Sequence, residues 1–307
     1  MNQLLAIVGP TGVGKSRLAL SLAQAFDGEI VSADSRQVYR YMDIGTAKPG
    51  PEERALVPHH LIDVVNPDQD FSLAQYQQLA FRAIEDAQQR NKLVLLVGGS
   101  GQYVWSVLEG WGIPQVAPNP EFRHSLEEKA ARSGEDELYQ ELASVDPVAA
   151  QRIDPRNVRR TIRALEVHRE TETPFSQLQR KTAPPFNTQI IGLTTDRAEL
   201  YHRIDLRVDG MIERGLVDEV KHLMNRGYDF RLSAMSGIGY KQIGLFLKGE
   251  LSLAAAIQQI KFETHRLVRH QYTWFQLQDD RIKWFDIHSV DWQLTAQLRK
   301  FLGGQAS

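Results

Sequence analysis

The sequence predicts an α/β protein, a parallel sheet core flanked by helices and carrying an all-helical insertion domain, and three observations support that expectation. The apolar run Leu4 to Val8 passes directly into Gly9, Pro10, Thr11, Gly12, Val13, Gly14, Lys15 and Ser16, and then into helical composition. A second apolar run, Leu93 to Val97, contains no polar residue, as expected of a strand buried on both faces. From Trp111 to Pro185 only helical patterns occur, with Pro114, Pro118 and Pro120 at one end and Pro184-Pro185 at the other. The first stretch fits G-x-x-x-x-G-K-[ST], a strand-to-helix loop whose backbone N–H groups wrap a phosphate, so the expected core is P-loop NTPase-like. Residues 1–110 together with 186–307 would form this core, and 111–185 the insertion.

In chain order, the first helix is expected over Ser16 to Ala25, where Leu18, Leu22 and Ala25 share a side. Glu29 to Ala33 reads as a second strand, delivering Asp34-Ser35-Arg36-Gln37-Val38-Tyr39 to the sheet edge where ligands sit in doubly wound folds. Asp34 is therefore a candidate metal ligand or general base, with capping of a short following helix as the alternative. His59 to Val65 reads as another strand, whose two adjacent histidines would point to opposite faces and not share a metal. Ser72 to Arg90 has helical spacing. Leu93 to Val97 ends in Gly98-Gly99-Ser100-Gly101 and not in the acid that follows a Walker B strand, which argues against ordinary ATP hydrolysis. Those glycines would admit a ligand close to the backbone, or serve only as a turn.

Within the insertion, Glu121 to Asp146 carries 8 acidic and 3 basic residues, while Arg152 to Lys181 carries 8 basic and 4 acidic. Arg156, Arg159, Arg160 and Arg163 fall on one helical face, either a phosphodiester track or a solvated surface. Gln189 to Leu193 returns to strand character. Helices follow over about 197–214, with Arg203 and Arg207 one turn apart, and over Leu253 to Gln278, with Ile257, Ile260, Leu267, Gln271 and Trp274 on its inner side. Trp284 and Phe285 suggest a last short strand, and Gly303 onward a frayed tail.

Composition narrows the function. The 307 residues are 42% apolar and 24% charged with a formal net charge of −2, so basic surface must be local. The absence of cysteine excludes disulfides, thiol catalysis and Cys-based zinc sites, and suits a cytoplasmic protein. No run approaches the ~18 apolar residues of a membrane span, and no signal peptide is expected.

Taken together, Gly9 to Ser16, Asp34 to Tyr39, Met42 to Pro49, Gly98 to Gly101, Arg159-Arg160 with Arg163 to Glu166, Ile238 to Gln242 and Gln271 to Phe275 resemble the tRNA dimethylallyltransferase family, of the bacterial type, in order along nearly the whole chain. The resemblance implies transfer of a dimethylallyl group from dimethylallyl diphosphate to N6 of adenosine 37, beside the anticodon, in tRNAs reading codons that begin with U. It implies Mg²⁺ held with Ser16. Diphosphate would be bound by Gly9 to Ser16 and Arg207. Asp34, Ser100 and Lys15 would be catalytic, with Asp34 as the base that accepts the amine proton. The tRNA anticodon stem-loop would be met by Asp34, Ser35, Arg36, Gln37, Ser100, Arg123, Arg159, Arg160, Arg163, Lys241 and Arg269. A monomer without membrane contact is expected.

Departures from the family pattern are visible. Ser100 stands where Thr is usual, keeping the hydroxyl. Thr264 to Gln271 stands where Thr-Arg-x-x-Ala-Lys/Arg-Arg-Gln is expected, so His265 and His270 replace arginines. RNA binding would then tighten as pH falls toward the ~6.5 of an ordinary histidine. Rival readings are an adenylate isopentenyltransferase acting on free nucleotide, a P-loop nucleotide kinase, and a non-catalytic RNA-binding protein.

Overall fold

A computed structural model describes residues 2–289; the tail expected from Gly303 lies outside them. The chain divides into two compact units, one running Glu109–Pro184 and the other formed by the chain on either side of it.

The flanking segments build a six-stranded parallel sheet from β1 (Gln3–Val8), β2 (Gly28–Ser32), β3 (His59–His60), β4 (Leu93–Val97), β5 (Asn187–Thr194) and β6 (Ile282–Asp286), in the order β3-β2-β4-β1-β5-β6. β1, β2 and β4 are buried at every position; β4 and all of β1 after Gln3 are apolar runs, while β2 buries Glu29, whose carboxylate meets His60 and Arg90. Ile7 and Ser32 both sit beside Val97, and Val8 sits beside Gly192. This register brings the carboxyl ends of β1, β2, β4 and β5 to one edge. The chain leaving β1, β2 and β4 carries Gly9, Ala33 and Gly98 respectively.

Helices α1 (Lys15–Ala25), α2 (Pro51–Leu56), α3 (Leu73–Gln89) and α4 (Gly101–Leu108) belong to this unit. Inside the insertion lie α5 (Pro120–Ser133), α6 (Glu135–Val145), α7 (Pro147–Arg152), α8 (Val158–Thr171) and α9 (Phe175–Leu178). They close around a core of their own that includes Leu126, Leu138, Leu142, Ile162, Leu165 and Phe175. The first unit resumes with α10 (Arg197–Glu213), α11 (Leu216–Asn225), α12 (Tyr240–Leu247) and α13 (Leu253–Trp274).

Three local expectations need correction. The strand expected over His59 to Val65 is reduced to His59–His60, because Leu61 and Asp63 take left-handed backbone angles (φ 63° and 57°) that end an extended run. On α13 the buried stripe is Ala256, Ile260, Val268 and Gln271, while Leu267 is 37% exposed and Ile257 and Trp274 are half-buried, so the stripe lies one residue from the expected line at Ala256 and Val268. The four-arginine face is also broken. Arg156 precedes α8 and pairs with Asp154 at 2.9 Å, since Asn157 caps the helix by accepting from the Arg160 N–H.

Candidate active site

The phosphate-binding loop leaves β1 with Gly9 at φ 135°, where a Cβ would stand 2.4 Å from the Leu193 carbonyl oxygen, so only glycine lets the loop turn over β5. Gly14, also left-handed, starts α1 without a side-chain cap, leaving that helix end to backbone N–H groups. The Lys15 ammonium folds back and donates to the Pro10 carbonyl at 2.8 Å. Arg207, reaching in from α10, donates to the Thr11 hydroxyl at 3.4 Å. Arg203 also approaches, its guanidinium 3.8 Å from where a Gly14 Cβ would be, and it pairs loosely with Glu199 at 3.6 Å.

Burial lowers the Lys15 pKa to about 8, with the negative charge of Asp34 opposing the shift and the positive charge of Arg207 adding to it. Burial also lowers Arg207, again opposed by Asp34. Among the described residues, neither cation forms an ion pair with a carboxylate. They are desolvated positive charges whose nearby acid, Asp34, acts through its field. Such a cluster has the chemistry to receive an anion.

Asp34 follows β2 by two residues. Its Oδ1 accepts from the Arg36 N–H at 2.8 Å, which orients the carboxylate by a local turn and begins no helix, so the capping alternative does not hold. The Ser100 hydroxyl accepts from the Ser35 N–H at 3.0 Å and donates to the Ser35 hydroxyl at 3.3 Å. Ser100 and the Asp34-Ser35 turn are therefore one assembly at adjoining strand ends. Arg36 reaches the Ser233 carbonyl at 2.8 Å. Gln37 accepts from the Ser32 hydroxyl at 3.0 Å and donates to the Thr46 and Ala47 carbonyls, both at 3.4 Å. Beneath this turn Tyr76 donates to the Ser32 carbonyl and stacks on Tyr103, and burial raises both phenols.

The glycines after β4 serve the protein's own packing. A Cβ on Gly98 would strike the Ala33 carbonyl, one on Gly99 the Gln271 amide, and one on Gly101 the Trp274 ring, at 2.1, 2.3 and 2.2 Å. The backbone after β2 and side chains of α13 thus press against these glycines. Trp274 is fixed in turn by the Trp105 indole N–H, which donates to its carbonyl at 3.0 Å.

Two supporting roles escape a sequence reading, although Gln271 itself stands among the inner residues of its helix and in the family motif. Gln271 accepts from the Thr11 N–H at 2.8 Å and donates to the Gly99 carbonyl at 3.1 Å. The Glu219 carboxylate, on α11, accepts from the consecutive N–H groups of Asp43, Ile44 and Gly45 and from the Tyr240 hydroxyl, at 2.6 to 3.1 Å. It thereby ties down the loop that holds Gln37. Partners this far apart in the chain leave no local signal.

The remaining candidates scatter. Ser16 is exposed at the first turn of α1. Lys241 is exposed, and Arg269 is exposed with its guanidinium 3.3 Å from the Tyr201 hydroxyl. In the insertion, Arg159 and Arg160 are exposed and their guanidinium groups form no ion pair among the described residues. Arg123 and Arg163 converge instead on Glu166, whose side chain is fully buried, at 2.8 and 2.6 Å. Burial would raise the Glu166 carboxyl, but bonds from Arg123, the Asn119 N–H and Arg163 outweigh it and hold the carboxyl below its ordinary range. His265 does not stand free: its ring stacks on Tyr201 at 4.0 Å, with Nε2 2.9 Å from Asp205. Among the described residues no group of acidic, histidine or cysteine side chains could by itself enclose a metal ion, and no helix is long and apolar enough to cross a membrane.

The profile of the IPP transferase family matches residues 37–278. The chain is 55% identical over 276 residues to the tRNA dimethylallyltransferase of Roseiflexus castenholzii, spanning 90% of each chain. It is 51% identical over 300 residues to that of Dehalococcoides mccartyi, spanning 97% of this chain and 92% of the relative. Among solved structures it resembles the full-length tRNA isopentenylpyrophosphate transferase of Bacillus halodurans, with TM-score 0.71 and 40% identity over 99% of this chain and 96% of that one. It also resembles a eukaryotic dimethylallyltransferase acting on tRNA, with TM-score 0.85 and 26% identity over 99% of this chain and 80% of that one.

Proposed function

Because this chain belongs to the IPP transferase family, we propose for it transfer of a dimethylallyl group from dimethylallyl diphosphate to tRNA, and more finely to N6 of adenosine 37 in tRNAs reading codons that begin with U. The observation that supports this reading best is the pairing at one sheet edge of an anion cradle, Lys15 and Arg207 over Gly9 to Ser16, with the Asp34 carboxylate, which is held by its own turn and, among the described residues, forms no ion pair.

An allylic C–O bond breaks when charge gathering on the departing diphosphate meets donors already in place. Lys15, Arg207 and the N–H groups at the start of α1 are such donors, and their partial desolvation strengthens the effect. The adenine amine is a weak nucleophile whose lone pair is delocalised into the ring. As N6 bonds to the allylic carbon and the C–O bond breaks, Asp34 takes the N6 proton and diphosphate leaves. Ser100, bonded to Ser35, keeps the Asp34 turn facing the reacting atoms. The target base must leave the anticodon-loop stack to arrive there, and Ser35, Arg36 and Gln37 line its approach.

Mg²⁺ suits this donor set. It favours one or two protein oxygens plus phosphates and water, and the exposed Ser16 hydroxyl offers one such oxygen. When bound it adds positive charge beside the leaving group. We assign the anticodon stem-loop to Arg159, Arg160, Lys241 and Arg269, with Arg123 and Arg163 acting on it through the shape of α8. The enzyme would act as a monomer in the cytoplasm.

The test is incubation of unmodified tRNA with dimethylallyl diphosphate and Mg²⁺, followed by nucleoside analysis. N6-(dimethylallyl)adenosine at position 37 is expected. Modification of AMP with unmodified tRNA left untouched would replace this reading with a free-nucleotide enzyme, and ATP turnover without alkyl transfer would replace it with a kinase.

A further inference from the structure

The two halves of the site arise from different loops. Thr11, Lys15 and Arg207 form the anion side, and Gly99-Ser100 with Ser35 and Asp34 form the carboxylate side. Among the described residues, one side chain bonds to both. Gln271, buried near the end of α13, spends its carbonyl oxygen on the Thr11 N–H and its amide on the Gly99 carbonyl. Thr11 is also gripped by Arg207 at its hydroxyl, and the residue after Gly99 is the Ser100 that holds Ser35. The path from the anion cradle to the Asp34 turn therefore runs Thr11, Gln271, Gly99, Ser100, Ser35, each polar contact at 2.8 to 3.1 Å. The absence of a Cβ at Gly99, which would lie 2.3 Å from the Gln271 amide nitrogen, lets the brace fit.

We infer that Gln271 is a positioning residue that sets the distance between the leaving diphosphate and the base-bearing turn. The inference rests on the prenyl-transfer reading. An amide is the group that can do this, because it presents one acceptor and one donor in a fixed plane to an N–H on one side and a C=O on the other. Both bonds are spent on the protein's own backbone. Loss of the brace should therefore leave each substrate's binding contacts in place and disturb their mutual alignment, a fault that falls on kcat.

The test measures steady-state kinetics with both substrates for the wild type, Gln271→Leu and Gln271→Glu. Leu removes both bonds at similar volume; Glu keeps the acceptor for Thr11 and loses the donor to Gly99. We expect kcat to fall by roughly 10- to 100-fold in Gln271→Leu and by about 10-fold in Gln271→Glu, each KM changing less than about threefold. If Gln271→Leu does not fold, Gln271→Glu decides. Wild-type kcat in a folded variant, or a loss carried by KM alone, overturns the inference while the transfer reaction stands. No transfer to tRNA by the wild type overturns the reaction itself and this inference with it.

Discussion

Two groups of cations in this chain look alike in sequence and differ in what faces them. At the phosphate loop, Lys15 and Arg207 rest on a backbone carbonyl and a hydroxyl and, among the described residues, form no ion pair with a carboxylate. In the insertion, Arg123 and Arg163 both close on the buried carboxylate of Glu166, so an acid of the protein already faces each of them. A cation held by neutral oxygens is ready for an arriving anion, whereas one locked to a buried acid is part of the frame. Helical spacing, which placed Arg163 beside Arg159 and Arg160, cannot separate these cases, because Glu166 lies on the same helix and Arg123 on another.

The contrast can be broken first at its catalytic end. Asp34→Asn should lower kcat by about 10²- to 10⁴-fold with little change in tRNA binding, measured by single-turnover transfer. An unaltered rate would remove Asp34 from the chemistry. Lys15→Met should lower kcat/KM for dimethylallyl diphosphate by about 10²- to 10³-fold. The free enzyme should also lose kcat/KM as pH rises through about 8, where the Lys15 ammonium discharges. The stability effect has the opposite sign. Between about 8 and the ordinary lysine value of 10.5 the unfolded chain binds more protons than the folded one, so the Lys15 contribution to stability rises with pH across that window.

At the structural end, Arg163→Ala or Arg123→Ala leaves Glu166 short of a partner and should destabilise the insertion by roughly 3 kcal/mol, read by thermal unfolding. The depressed Glu166 carboxyl contributes stability that is full above its ordinary value of 4.5 and is lost as pH falls below that value through its lowered folded pKa, a dependence that Glu166→Gln should remove. The smallest effect separates the exposed pair. Arg159→Ala or Arg160→Ala should shift stability by no more than about 0.5 kcal/mol and reduce the salt slope of tRNA binding by about one each. Equal stability losses at Arg159 and Arg163 would erase the distinction drawn between them.

The sequence made β1, β4 and the glycine loop after β1 legible, because strands buried on both faces are apolar runs and Gly9 is demanded by local backbone geometry. Asp34 was legible as a strand-end acid. What stayed hidden depends on partners brought together by the fold. Gln271 and Thr11 are 260 positions apart, Glu219 and Ile44 175, and nothing in either segment announces the other. The glycines after β4 were visible, but the reason for them, the packing of Gln271 and Trp274, was not. His265 stands at a family arginine position, yet only the fold shows that it faces Tyr201 and Asp205.

The most direct measurement is single-turnover transfer of label from dimethylallyl diphosphate, with Mg²⁺, to an anticodon stem-loop carrying A36-A37-A38 and in parallel to AMP, for wild type and Asp34→Asn. Label entering the stem-loop alone, at a rate that collapses in the variant while the stem-loop still binds, is the predicted result. Label entering AMP, or equal rates for the two proteins, would contradict the cation cradle and the Asp34 carboxylate acting together on tRNA.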